Sequence, residues 1–235
     1  MKSPKRPVRV AIIDNSIDNT VYRPVDHWKR WLSAPCASFR AKYNQLPDLL
    51  AGFTHLILTG SEASILEREE WVDKEISLVQ DALGGGLSIL GSCYGHQLLA
   101  LALKGPISVR RCPSPEVGWI RVEIPESNIL LGNQENFFTF SSHFDEVVNL
   151  GPDFRVIAST RDCPVQGFEL IGKSVWGLQC HPEINAGDAK DYMNAIIGLN
   201  LETRAHFTAA MMEKPRDSGF IRGIVSRFLA NGGGT

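Results

Sequence analysis

No C-x-x-C pair occurs in this chain, and its cysteines are odd in number: Cys36, Cys93, Cys112, Cys163 and Cys180. That pattern argues against a disulfide framework and against a zinc site. It fits reduced thiols in a cytoplasmic protein, most of them packed as small buried hydrophobes. An excess of one charge is also missing. Lysine and arginine number 24 against 26 aspartates and glutamates, a formal net charge of -2. Nothing in that balance draws the chain to nucleic acid or to a membrane surface. No apolar run approaches the length of a membrane span. The basic start, MKSPKRP, has no apolar segment of signal-peptide form behind it and reads as a frayed terminus. Neither G-x-x-x-x-G-K-[ST] nor S-G-G-x-D-S, loops that hold nucleotide phosphates, is present.

What is present is an ordinary core. Hydrophobic residues make up 43% of 235, enough for one large α/β unit, and no linker or repeat divides the chain. Residues 1–235 are therefore taken as a single domain. VRVAIID, THLILTGS and LSILGS are short apolar runs of the kind found in strands buried on both faces. Helical patterns separate them: VDHWKRWL from Val25, and Glu67–Leu83 with Trp71, Ile76, Val79 and Leu83 on one face. Gly84–Gly86 stop the second of these, and GHQLLALAL follows LSILGS as another helix. This alternation predicts a parallel sheet covered by helices. Beyond Gly105 the texture changes to strands joined by turns: GWIRVEI, NFFTFSSH, FRVIAST and VQGFELIGKSVWGLQCH, the last with a hairpin turn centred on Gly172-Lys173. From Asp188 the pattern is helical again, and the tail NGGGT is expected to be disordered.

At GSCYGHQ, Gly91–Gln97, an apolar strand breaks sharply into a helix. Such a turn pushes one side chain out at its tip, and the strained backbone wants small neighbours, here Gly91 and Gly95. Cys93 would sit at a helix N-terminus, above the sheet edge where open α/β folds bind ligands. The N–H of Tyr94 would point the same way and could hold an oxyanion. A buried structural cysteine in a glycine-rich turn fits the motif equally well, so a base must be sought elsewhere. LQCHPEI supplies one. His181 ends an apolar run and Pro182 helps stop the strand. Glu183, two residues on, projects to the same side in an extended chain and could fix the imidazole tautomer. Alone, H-P-E also fits a surface turn. Cys180 should face away from His181, into the core.

G-x-C-x-G-x-Q followed far downstream by H-P-E resembles the signature of class I glutamine amidotransferases. The resemblance runs from the first strand to about Ile184. It implies a flavodoxin-like, mostly parallel sheet flanked by helices, with an added antiparallel portion. It also implies Cys93 as nucleophile, His181 as base and Glu183 as orienter, with no metal or organic cofactor. Within the family, SSHFDEV (Ser141–Val147) and Gly118-Trp119 resemble the glutaminase domain of GMP synthase and its stand-alone relatives. By that resemblance Gln97, Ser142, His143 and Asp145 contact the substrate, Asp145 being suited to an α-ammonium group. The family's oxyanion loop corresponds to TGSEAS, Thr59–Ser64. Gly60 is kept there, but Ser61 stands where proline is usual, and the loop is expected to be mobile.

Three functions remain open at this point. One is a glutaminase that releases ammonia through a γ-glutamyl thioester for a separate synthetase partner. The second is a free-standing γ-glutamyl hydrolase or peptidase with the same three residues. The third is a binding or regulatory module that keeps the fold without catalysis. Glutamine or another γ-glutamyl compound is the expected ligand, with neither nucleic acid nor membrane involved.

Overall fold

The structure is a computed structural model and describes residues 6–48, 50–199 and 202–232. Nine strands and six helices are described. In chain order they are β1 (Val10–Asp14), α1 (Pro24–Lys29), β2 (Cys36–Arg40), β3 (His55–Leu58), α2 (Val72–Gly84), β4 (Ser88–Ser92), α3 (Tyr94–Lys104), β5 (Val109–Glu123), β6 (Asn136–Val147), β7 (Phe154–Ala158), β8 (Gly167–Leu170), β9 (Val175–Leu178), α4 (Ala186–Leu199), α5 (Arg204–Met211) and α6 (Ile221–Ala230). Seven strands form one sheet in the order β2-β1-β3-β4-β9-β8-β7. The pairs from β2 through β9 are parallel, while β9–β8 and β8–β7 are antiparallel. β5 and β6 make a separate antiparallel ribbon, whose register shifts between Arg111 and Glu116. The expected parallel sheet with an antiparallel addition is what the chain forms.

Burial explains the parallel part. Every residue of β1, β3, β4 and β9 is buried, as expected when helices cover both faces. On one face, Leu56, Leu58 and Ile89 pack with Val79 of α2 and Leu98 of α3. On the other, Ile12, Ile57 and Leu90 pack with Trp28 of α1 and Phe228 of α6. A third cluster joins Trp119 and Phe140 of the ribbon to Met193 of α4 and Phe207 of α5.

The predicted elements hold, with one omission. β2 is an edge strand whose residues are half-buried or exposed. It has no continuous apolar run and so no period-2 signal strong enough to read. The first five residues of MKSPKRP and the last three of NGGGT lie outside the described residues. Asn231, at the start of that tail, is packed: its carbonyl accepts the Ser88 hydroxyl at 2.7 Å.

Glu75 of α2 is fully buried, and neither carboxylate oxygen has a hydrogen-bond partner. Burial pushes its pKa from an ordinary 4.5 up to about 8. A raised carboxyl pKa means that the folded chain holds a proton the unfolded chain has lost. Stability therefore falls as pH rises from about 4.5 to about 8, then levels off. Between pH 5.5 and 8.5 this group should cost about 3 kcal/mol. Denaturant melts at those two pH values should show a smaller drop for Glu75→Gln than for the parent. An equal drop would mean that Glu75 titrates normally.

Candidate functional site

Three neighbouring strands bring the site together. β3, β4 and β9 lie side by side, so the segments leaving their C-terminal ends share one edge of the sheet. Those segments carry Gly60, Cys93 and His181 respectively. This edge is where open α/β sheets form ligand crevices.

Cys93 sits at the tip of the β4–α3 turn with φ 49° and ψ -106°, a strained conformation for a residue with a side chain. Two hydrogen bonds pin it there: its N–H donates to the Leu178 carbonyl at 2.8 Å, and its carbonyl accepts the Gln97 N–H at 3.1 Å. The strain is on Cys93 itself. Gly91 and Gly95 are not in the left-handed region; they are glycines because nothing larger fits. A Cβ on Gly91 would lie 2.3 Å from the Gly95 carbonyl oxygen, and one on Gly95 would lie 2.2 Å from that of Leu58. The thiol donates to the Ser142 carbonyl at 3.5 Å and also hydrogen-bonds His181.

His181 lies beyond the end of β9. Its N–H donates to the Phe140 carbonyl at 2.8 Å, which ties it to the ribbon. Nδ1 is 2.8 Å from Glu183 Oε1. The contact expected from an extended chain is made, but by a different route. Residues His181–Ile184 form a turn, closed by Ile184 N–H to the His181 carbonyl at 3.2 Å. Pro182 thus bends the chain as well as stopping the strand. Glu183 is completely buried and accepts further hydrogen bonds from Ser92 Oγ and from the Tyr22 hydroxyl, each at 3.2 Å. Tyr22 OH is also 3.3 Å from His181 Nδ1. Burial by itself would depress the His181 pKa, but the Cys93 sulfur and the Glu183 carboxylate outweigh it and push the value up to about 10. Burial would likewise raise Glu183, and charge on His181 holds it below the usual carboxylate range instead.

Gly60 packs against this group. A Cβ there would lie 2.7 Å from His181 Cε1 and 3.0 Å from the Tyr22 hydroxyl. The loop that follows is not the slack segment its missing proline suggests. Thr59 Oγ1 accepts the Asn15 N–H at 2.9 Å. The Glu62 carboxylate accepts the N–H groups of Ile17 and Asp18 at 2.9 and 3.2 Å. Ser64 Oγ donates to Asp145 Oδ2 at 2.5 Å. These side chains tie the loop down where a proline would otherwise stiffen it. Tyr94, the first residue of α3, follows Cys93 directly, and burial raises its phenol pKa.

A cavity of about 800 Å³ opens above Cys93. Gln97, Ser142 and Asp145 line it. The Gln97 amide nitrogen is already in use, donating to the Asp145 carbonyl at 2.8 Å and to Gln179 Oε1 at 3.1 Å. Ser142 Oγ is 3.4 Å from the Tyr192 hydroxyl. Asp145 Oδ1 lies 3.1 Å from Arg111 Nη1, and both side chains line the cavity. His143 lines the cavity as well. Its Nε2 is 3.0 Å from Glu116 Oε2, and its Nδ1 is 3.1 Å from the Asp145 carbonyl and 3.3 Å from Cys112 Sγ. Both nitrogens are engaged, and the ring braces β6 against β5.

Among the described residues, Glu116, His143 and Cys163 are the group whose ligand atoms come close enough to hold a metal ion. Hydrogen bonds already engage its carboxylate and imidazole: Glu116 also accepts from Thr160 Oγ1 at 2.6 Å and from the Gln166 amide. Burial pushes the thiols of Cys112, Cys163 and Cys180 above their ordinary range. Among the described residues, no helix is long and apolar enough to cross a membrane.

Tyr22, Ser92, Arg111 and Tyr192 escape the sequence reading. Ser92 belongs to the elbow motif, but its hydroxyl signals nothing until Glu183 is placed beside it. Tyr22 is 159 residues from His181 and stands in no pattern.

Fold and site together define an α/β protein with a cysteine elbow and a carboxylate-held histidine on adjacent strands. Residues 25–197 match the family model for glutamine amidotransferase class-I, and the chain belongs to that family. It is 37% identical over 144 residues to a GMP synthase [glutamine-hydrolyzing] of Porphyromonas gingivalis, a match covering 60% of this chain and 27% of that protein. It is 35% identical over 136 residues to a glutamine-hydrolyzing GMP synthase subunit of Saccharolobus solfataricus, covering 57% of this chain and 70% of that one. The chain thus spans about a quarter of the length of the longer synthase. The crystal structure of a glutamine amidotransferase from Thermotoga maritima shares the fold with a TM-score of 0.73 at 20% identity, covering 94% of this chain and 98% of that one.

Proposed function

We propose that the chain hydrolyses the side-chain amide of glutamine, with Cys93, His181 and Glu183 as its catalytic residues. The observation that carries this reading is the strained Cys93, hydrogen-bonded to a histidine whose other ring nitrogen is held 2.8 Å from a buried carboxylate. With the Cys93 proton held on His181, whose pKa is pushed up to about 10, the sulfur attacks the amide carbon. Backbone N–H groups of Gly60 and Tyr94 take the oxyanion. His181 gives its proton to the leaving nitrogen, and ammonia departs. Water, deprotonated by His181, then cleaves the γ-glutamyl thioester and releases glutamate. Asp145 and Arg111 face the amino-acid end, and Gln97 and Ser142 line its path.

Ammonia from this reaction would serve a separate synthetase. The Saccharolobus relative is itself one subunit of its synthase. A second reading, a γ-glutamyl hydrolase acting alone, gains support from one observation. The Thr59–Ser64 loop is anchored at Thr59, Glu62 and Ser64, as an oxyanion hole ready without a partner would be. The expected result is measurable glutamine turnover by the lone chain, rising at least about 10-fold when an ammonia-accepting synthetase docks. Losing one oxyanion donor costs about 10²–10³ in rate, which bounds such a switch. Full-speed turnover unchanged by any partner would replace the amidotransferase reading with the second one.

A further inference from the structure

Free glutamine does not account for the whole cavity. Its volume of about 800 Å³ is in the range of sites that hold ligands several times larger than an amino acid. Its walls also differ in character. Arg111, Asp145 and Ser64 are polar and come from β5, β6 and the segment after β3. Another wall is apolar and belongs to α4. Tyr192, Ile196 and Leu199 all line the cavity and stand at i, i+4 and i+7, one face of the helix. The stripe begins at the reacting centre. The Tyr192 hydroxyl is 3.4 Å from Ser142 Oγ, and the Ser142 carbonyl accepts the Cys93 thiol. Tyr192 is braced there by the rings of Tyr22, Phe140 and Phe207, with centroids 5.5, 6.2 and 6.1 Å away. From Tyr192 the stripe runs outward for about 10 Å to Leu199, which is 69% exposed. Releasing ammonia requires no such surface.

We propose that the site takes γ-glutamyl amides whose nitrogen carries an apolar group, and that the Tyr192–Ile196–Leu199 face of α4 receives that group. The proposal rests on the hydrolytic reading of Cys93 and His181. The glutamyl end binds at Asp145 and Arg111, so the substituent on nitrogen has a wall to follow. The sulfur bonds to the side-chain amide carbonyl carbon, the C–N bond breaks, and the amine leaves with the proton from His181. Water then returns Cys93 and yields glutamate. A protein partner could cover the outer end of the stripe at Leu199. It would not reach the inner end beside Ser142, and that decides for a small substituent.

The test compares kcat/KM for the full chain on glutamine, γ-glutamyl isoamylamide and γ-glutamyl 3-hydroxypropylamide. The isoamylamide should exceed the hydroxylated amide by about 10-fold or more. Ile196→Glu should shrink the ratio of isoamylamide to glutamine turnover by a similar factor. Leu199→Glu, at a position exposed enough to leave folding untouched, should shrink it in the same direction. If glutamine is the best substrate and neither variant moves the ratio, the inference fails while the hydrolytic reading stands. A docked protein that accelerates glutamine turnover, and loses its hold with Leu199→Glu, would give the stripe to a partner and also overturn the inference. No hydrolysis of any of the three would remove the reading of the site and the inference with it.

Discussion

Cys93→Ala leaves a folded protein with no measurable glutaminase, a loss on the order of 10⁶ in kcat. The nucleophile is the one group in the site for which nothing nearby can substitute. The thiol makes only a long hydrogen bond to the Ser142 carbonyl, at 3.5 Å, besides its contact with His181, so its removal costs little packing. Glycine at the same position separates chemistry from strain. At φ 49° and ψ -106° a Cβ costs about 1–3 kcal/mol, and glycine escapes most of that. Cys93→Gly should therefore be as inactive as Cys93→Ala and melt at a higher temperature. Equal melting temperatures would mean that the elbow stores no strain. A glutamine-like electrophile should label Cys93 and spare Cys112, Cys163 and Cys180, whose thiols burial holds above their ordinary range. Retained turnover in Cys93→Ala would end the assignment.

Much of this is legible in the sequence because the chemistry lies in local motifs at strand ends. G-x-C-x-G marks an elbow wherever a strand meets a helix, and H-P-E keeps base and orienter two residues apart whether the chain extends or turns. That is why Glu183 is identifiable although it sits in a turn and not on a strand. Long-range contacts leave no such trace. Tyr22 reaches His181 only because β1 lies beside β3 in the sheet, and Arg111 reaches Asp145 only through the register of β5 on β6. His143 carries partners of the same kind: its motif marks it as a substrate contact, and the structure adds Glu116 and Cys112, both on β5, at its ring nitrogens. A motif identifies residues that belong together and cannot say which neighbour each one spends its hydrogen bonds on. β2 is missed for a plainer reason: an edge strand is half-solvated and lacks the apolar run that marks β1, β3 and β4.

His181→Asn should cost nearly as much as losing Cys93, about 10⁶ in kcat, and Glu183→Gln less, about 10⁴. His181 carries the proton from sulfur to nitrogen, and no other group among the described residues contacts the thiol as a base. Glu183 acts through His181, so its removal leaves a misoriented carrier and not an absent one. The loss at Glu183 is still large because the carboxylate accepts from Ser92 Oγ, Tyr22 OH and His181 Nδ1 together. A glutamine there must aim its NH₂ at one of those donors. If it faces His181, the ring turns its tautomer and Nε2 carries the wrong proton. The pH profile separates orientation from general damage. With His181 pushed up to about 10, the imidazolium persists through neutral pH, and kcat/KM should hold on the alkaline side until about pH 10. Without the Glu183 charge, that alkaline fall should move to lower pH. Pairing Cys93→Ala with His181→Asn should cost no more than either change alone, because the two act as one unit. Independent, multiplying losses would show that sulfur and imidazole do not share a proton, and the pair would have to be reassigned.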